Sequence, residues 1–375
     1  MYCLALLGYA PENLLIGNSV FSMGFIGGIA SQFRSAIGGE ITQVTNMIAE
    51  GRRLSLDRFN QELSNGNYAG ATGLTSELIF HPGNVEFLTI GSAVSSNNGI
   101  NRFTSSSDGQ ELFCQWDAGY QPINFIFGNV AYSIGLVKGI LGEFKQLKKG
   151  EVQQYSDIFN QTRNLALDRI ITEAKNNGAN SVVGIRTTIL PVGISPVQEM
   201  VMIGTASYNS QINSIAGIVN GVTTSDMTAE ETWNVARLGY APLKLVLGTS
   251  IYSLGLVGGL KAGLKNFIKG EISELTNMIY GAREQSINRL TQQAQEIGAD
   301  DILGIKTYIY NLGGGLIEFL AIGTAVKKID GLTTNSQQIP PQAIIRDKTT
   351  FINAAVFAEA NNLQRPQELA DNTSQ

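Results

Sequence analysis

The sequence predicts an α+β protein built from three tandem β-α-β-β units, each with one long helix packed on a small sheet. Three observations carry that prediction. Gly8-Tyr9, Gly119-Tyr120 and Gly239-Tyr240 each open a segment, and Gly39-Glu40, Gly150-Glu151 and Gly270-Glu271 follow at one constant spacing. Arg52, Arg163 and Arg283, then Arg58, Arg169 and Arg289, keep the same distance behind those glycines in every copy. Each copy closes on a Gly-Ser/Thr-Ala triplet: Gly91-Ser92-Ala93, Gly204-Thr205-Ala206 and Gly323-Thr324-Ala325. Repetition without insertion over such a stretch means one structural unit used three times. The units are expected at 1–95, 114–208 and 233–329, with linkers at 96–113 and 209–232 and a polar, largely disordered tail at 330–375.

Within a unit the elements follow from local pattern. Short apolar runs such as Asn124-Phe125-Ile126-Phe127 and Lys244-Leu245-Val246-Leu247 suit a first strand. A helical stretch with a Ser-x-Gly pattern comes next. Its interior glycines, Gly24, Gly135 and Gly255, weaken a helix, so their recurrence predicts close approach of another backbone. After each Gly-Glu pair comes the strongest helical signal. Val152, Tyr155, Phe159, Thr162, Ala166, Ile170 and Ala174 form one apolar stripe, repeated by Ile272, Leu275, Ile279, Ala282, Leu290 and Ala294. Glu40, Glu151 and Glu271 are expected in the first helical turn, where a carboxylate opposes the positive end of the helix dipole. Gly178 and Gly298, with Asn67 in the first copy, mark the left-handed helix exits. Two strands complete the unit. Val183, Ile185, Thr187 and Ile189 alternate with Val182, Gly184, Arg186 and Thr188, and Glu199 to Ala206 reads as a buried strand matched by Glu318 to Ala325. One long helix against three strands covers one sheet face, so the other face or edge requires a partner.

Composition narrows the functional classes. The chain of 375 residues is 43% hydrophobic and only 15% charged, against about 25% charged in average globular chains, which leaves neutral surface for self-association. A formal net charge of −5 argues against a nucleic-acid partner, because no dense basic stripe is present to displace counterions. Two cysteines, Cys3 and Cys114, are too few for a disulfide scaffold and suit a reducing cytoplasm. Leu14 to Phe33 carries no charge, but its glycines, serines and Asn18 dilute the hydrophobicity, and the second copy places Lys138 in the equivalent window. A buried strand running into a glycine-rich helix is therefore favoured over membrane spans. Membrane contact remains a lesser alternative.

The assembled pattern resembles the YbjQ-like family, labelled heavy-metal-binding. The matching pieces are the Gly-Gly-Glu or Lys-Gly-Glu before the long helix, the helical arginine, Gly298-Ala299-Asp300-Asp301-Ile302-Leu303-Gly304-Ile305, and Ile322-Gly323-Thr324-Ala325-Val326. The resemblance implies a small α+β subunit of ring-forming type, commonly five-fold. A triple fusion departs from the usual single domain, and the linkers are long enough for the units to join separate, stacked rings.

Chemistry is sparse in the residues themselves. A soft-metal site wants clustered Cys and His at ligand spacing, and here two separated cysteines and one histidine, His81, are all there is. His81 before Pro82 reads as a loop residue. No nucleophile elbow is present, and the glycine pairs lack the Lys-Ser/Thr of a phosphate loop. The sequence therefore assigns no catalytic residue, no metal ligand and no cofactor. Recurring charges carry more: Glu86, Glu199 and Glu318 stand at one spacing before the glycine of the final strand, embedded among apolar residues. Such carboxylates need partners, and the helical arginines are candidates. The expected reading is a structural ion pair within a unit or between neighbouring units, the competing one a ligand-binding carboxylate lining a ring pore. The favoured function is a non-catalytic self-assembling scaffold. Alternatives are a small-molecule or metal-ion binding protein with sites between units, and a membrane-surface or secreted interaction protein.

Overall fold

A long helix laid across an antiparallel three-stranded sheet recurs three times along the chain. The computed structural model describes residues 1–22, 39–96, 102–133, 150–192, 197–212, 221–253, 273–313 and 316–340. Gly24, Gly135, Gly255, Glu271 and the tail from residue 341 lie outside the described residues. A short helix α1 (Tyr2–Leu6) leads into unit one, made of β1 (Tyr9–Ser22), α2 (Thr42–Asn65), β2 (Gly70–His81) and β3 (Asn84–Ser96). β4 (Phe103–Thr104) and α3 (Gly109–Asp117) lead into unit two: β5 (Gln121–Ser133), β6 (Gly150–Glu151), α4 (Gln153–Asn176), β7 (Ser181–Pro191) and β8 (Val197–Tyr208). β9 (Thr223–Thr224) and α5 (Ala229–Arg237) lead into unit three: β10 (Tyr240–Ser253), α6 (Ser273–Glu296), β11 (Asp301–Gly313) and β12 (Leu316–Lys328).

The sheets run β1-β3-β2-β4, β5-β8-β7-β9 and β11-β12-β10-β6. Within each unit the first strand pairs antiparallel with the last, which pairs antiparallel with the middle one. The fourth strand is borrowed from outside the unit. β4 and β9 are linker residues lying parallel to β2 and β7, and β6 belongs to unit two but pairs with β10 of unit three.

The long helices end as the sequence indicates. Gly178, Gly298 and Asn67 follow the last helical turns with φ of 70°, 68° and 54°, the left-handed geometry that closes a helix. Their N-termini are unusual. Neither Ile41 nor Val152 offers a side-chain cap. Instead the Ile41 and Val152 amides donate to Ala131 O and Ile251 O, both at 2.8 Å, on the first strand of the following unit. Thr45 Oγ1 and Ser156 Oγ in turn accept from the Ala131 and Ile251 amides at 2.9 Å. Each helix start is thus fastened to the next unit. For the same reason Glu40 and Glu151 do not sit in a first helical turn. Glu40 bridges to Tyr132 and Glu151 lies in β6, where the backbone is drawn into extended pairing with the neighbour.

The two linkers are built elements. Ser105, Ser106 and Ser107 are buried, and the helices after β4 and β9 open on capping boxes, Asp108 with Glu111 and Thr228 with Glu231. A side-chain cap of this kind contributes about 1 kcal/mol to helix stability. Linkers buried in this way hold consecutive units together in one compact body, Met1–Ile339, which replaces the expectation that they reach between separate rings. The core reflects this. One buried cluster combines Ile126, Phe159, Ile170 and Met202 of unit two with Leu245, Leu247, Ile251 and Leu320 of unit three. Another combines Val44, Ile48 and Phe87 of unit one with Ala131 and Val197 of unit two.

Close approach of backbones occurs on the first strand. A Cβ on Gly128 would meet Ala166 O at 2.3 Å and Ile170 N at 2.5 Å, and Gly17 and Gly248 stand against α2 and α6 in the same way. No helix among the described residues is long and apolar enough to cross a membrane. The uncharged stretches contribute β1 and β10 up to Ser22 and Ser253; their continuations lie outside the described residues.

Candidate functional site: the junctions between units

Eight of the recurring charges singled out by their spacing lie at the two junctions between units. Arg52 of α2 forms a two-pronged contact with Glu199 of β8, Nε to Oε1 at 3.1 Å and Nη2 to Oε2 at 2.7 Å. Arg163 of α4 does the same with Glu318 of β12, at 2.8 and 2.6 Å. Arginine's planar fork matches a carboxylate in this way and lysine's point charge does not. All four side chains are at most 1% exposed. Both pairs run from the helix of one unit to the final strand of the next.

Around each fork the remaining donors are satisfied. Arg52 Nη1 donates to Ser76 O and Oγ, and Asn129 Nδ2 donates to Glu199 Oε1 at 3.2 Å. Arg163 lies over the rings of Tyr132, Phe159 and Tyr310, 5.4, 5.8 and 5.9 Å from their centroids. Desolvation pulls Arg163 towards losing its proton, and Glu318 more than reverses it, leaving its pKa above the ordinary value. Burial pushes the Glu318 carboxyl up and Arg163 opposes that. Two charge-assisted bonds in one fork keep the pair ionic.

A second pair crosses each junction in the opposite sense. Glu40 of unit one meets Arg169 of α4 at 2.7 Å, and Glu151 of unit two meets Arg289 of α6 at 2.6 Å. Arg169 and Arg289 also donate to Asn129 O and Thr249 O on their own first strands, both at 2.7 Å. Arg58 donates to Asn18 O in the same manner.

The closing triplets have a role their spacing did not reveal. Thr205 Oγ1 accepts from the Ser106 amide at 3.0 Å, and Thr324 Oγ1 accepts from the Asp226 amide at 3.1 Å. Thr104 and Thr224 Oγ1 accept from the Phe125 and Leu245 amides at 2.8 Å. These bonds fasten each linker to the unit it enters, while β4 and β9 pair it with the middle strand of the unit it leaves. The cue was the Ser/Thr inside every closing triplet.

The repeats part company at the ends of the chain. Glu86, the unit-one counterpart of Glu199 and Glu318, has no arginine. It meets His81 Nε2 at 2.8 Å and accepts from Asn18, and its pKa is lowered by the His81 and Asn18 hydrogen bonds. His81 is the last residue of β2, not a loop residue. Arg283, the counterpart of Arg52 and Arg163, is exposed and has no hydrogen bond or ion pair among the described residues. Cys3 and Cys114 are buried and form no disulfide, and burial pushes the Cys114 thiol up to about 12.

A cavity of about 230 Å³ opens at the second junction, lined by Glu111, Arg186, Asp226, Thr228, Lys306 and Tyr308 among others. Its charges are mutually paired: Arg186 with Glu111 at 3.1 Å and Lys306 with Asp226 at 3.2 Å. Among the described residues no group of three His, Cys, Asp or Glu side chains could hold a metal ion. Burial raises the Asp226 carboxyl above 3.8, with Thr324 and Lys306 opposing. A folded-state pKa above the unfolded one gives stability that is complete below the unfolded value and lost as pH rises through the folded value. Asp226→Asn removes that dependence. Urea unfolding over a pH series is expected to show the variant gaining on the wild type as pH climbs from about 4 towards neutrality. A constant gap between the two would contradict the burial argument.

The sequence pattern of the YbjQ family, described as "Putative heavy-metal-binding", matches residues 119–210 and 227–329. An encapsulin nanocompartment protein of Mycobacterium tuberculosis is 24% identical over 248 residues, 65% of this chain and 91% of the relative. A UPF0145 protein of Lactobacillus gasseri is 34% identical over 107 residues, 28% of this chain and 99% of its own. Another, from Vibrio parahaemolyticus, is 40% identical over 86 residues, 23% of this chain and 82% of its own. The small relatives are thus the length of one unit, and the encapsulin relative is longer than two. With its tandem units matched over more than half its length, the chain belongs to the YbjQ family.

Proposed function

We propose that this chain is a non-catalytic, self-assembling scaffold of the cytoplasm, whose partner is itself and whose product is a ring-like homo-oligomer. The observation that carries the reading is the junction. Arg52–Glu199 and Arg163–Glu318 bury one strand-helix interface twice, in the same sense, along a single chain. An interface that repeats head to tail has no intrinsic end, and proteins built on such contacts close into rings or extend as filaments. The encapsulin nanocompartment relative supports the same reading, since a nanocompartment is an assembly. Buried cysteines outside any disulfide suit a reducing compartment, and the net charge of −5 offers nucleic acid no counter-charge. Size-exclusion chromatography with light scattering at micromolar concentration is expected to give a multiple of the chain mass. A single-chain mass would remove this reading.

The family description and the junction cavity favour a second reading, a metal-ion or small-molecule binding protein with sites between units. Thermal unfolding across a series of divalent metals, with elemental mass analysis of the purified protein, tests its metal form. No stabilisation and no bound metal would dismiss it.

A further inference from the structure

We infer that the α6 face of unit three docks on the β1 face of unit one in a second copy of this chain, bringing Arg283 of one copy to Glu86 of the next. The inference rests on the self-assembly reading and names its two surfaces.

Comparison of equivalent positions leads there. On β5 and β10, Phe125, Ala131, Leu245, Leu247 and Ile251 are buried at 2% exposure or less, because a preceding helix covers that face. On β1 the same face is open. Leu14, Ile16 and Val20, the counterparts of Leu245, Leu247 and Ile251, are 63%, 46% and 57% exposed. The opposite end of the chain carries the complementary surface. Leu167 of α4 is fully buried at the second junction, while its counterpart Ile287 on α6 is 36% exposed and Tyr280 is 62% exposed. Leaving such side chains in water forgoes the stabilisation that burial gives their counterparts. Isolated exposed apolar residues are ordinary, but two apolar patches that match the halves of an interface already built twice in the molecule are not.

Charge agrees with shape. Arg283 stands in the patch on α6 without a hydrogen bond or ion pair among the described residues, and Glu86 stands at the position whose two counterparts each receive an arginine fork. The sheet edges agree as well. β5 and β10 receive Glu40 and β6 from the preceding unit, and β1 receives no such strand among the described residues. At the far end, Ile185 N reaches the linker carbonyl of Ser225 at 2.7 Å, while its counterpart Ile305 on β11 is 45% exposed. What covers these surfaces is a second copy, because only this chain carries both halves. The contact is heterologous, so it propagates until it closes.

Charge reversal separates the possibilities. Arg283→Glu and Glu86→Arg are each expected to reduce the assembled mass to that of one chain, since each sets like charges facing at the junction. Mixing the two variants in equal amounts should restore assembly beyond a dimer with the two chains alternating, because one junction is native and the other carries the reversed pair. The double variant, with the pair reversed, should regain wild-type mass. Arg283 lies exposed on its helix, so its variant decides alone should Glu86→Arg fail to fold. Wild-type-sized assemblies from the Arg283→Glu chain would overturn this inference and leave self-assembly standing. A wild type of single-chain mass would overturn both.

Discussion

Arg163→Ala is expected to lose about 3–5 kcal/mol of unfolding free energy, because it strands Glu318 as an uncompensated buried charge. Both members are at most 1% exposed, so bulk solvent does not reach the carboxylate in the folded chain. The loss includes the contact of Arg163 with Tyr132, Phe159 and Tyr310, which adds on the order of 1 kcal/mol. Arg52→Ala should fall in the same range for the same reason. Arg283→Ala, at the equivalent helix position, should leave urea unfolding of the dissociated chain unchanged, since Arg283 is exposed and has no hydrogen bond or ion pair among the described residues. Replacing the pair together, Arg163→Met with Glu318→Leu, should cost much less than either single change, because no charge is then left in the core. The double-mutant cycle reads the coupling directly. A loss below about 1 kcal/mol for Arg163→Ala would mean that the fork contributes little to holding the second junction.

The contrast among Arg52, Arg163 and Arg283 also marks what the sequence could express. Constant spacing revealed three units, and the left-handed exits at Asn67, Gly178 and Gly298 were legible because a helix of fixed length must stop where its residue type permits positive φ. The recurring Glu and Arg were legible as candidates for pairing. Their partners across units were not, since identical spacing fits a pair within a unit as well as one between neighbours. The first-turn placement of Glu40 and Glu151 failed because a strand of two residues, such as Gly150–Glu151, is too short to show alternation. It exists only because the next unit's β10 supplies its partner. The helices α3 and α5 escaped notice at the ends of segments read by composition as linkers, and α1 at the start of unit one, although Asp108 with Glu111 and Thr228 with Glu231 carried a usable signal. Cores that merge across junctions are likewise invisible to periodicity, which reports that a face is buried and not against what.

Gly128→Ala is expected to destabilise the chain by about 1–3 kcal/mol, and at the upper end of that range, because a methyl group there has no space to occupy. The added carbon would lie 2.3 Å from Ala166 O and 2.5 Å from Ile170 N, both backbone atoms of α4. A side chain could rotate aside, but a helix backbone can only translate. Translation of α4 has consequences beyond its own sheet. The same helix carries Arg163 to Glu318, presents Leu167 to the second junction, and opens on Val152, whose amide is bonded to Ile251. Displacing it from β5 therefore strains the contact between units two and three as well as the packing within unit two. The prediction is that Gly128→Ala and Arg163→Ala are not additive: the double variant should lose less than the summed single losses, because a displaced helix has already loosened the fork. Urea unfolding of the two single variants and the double one measures this. Strict additivity would show that α4 docks on its own sheet independently of the unit that follows, and the fused core of units two and three would then have to divide at that helix.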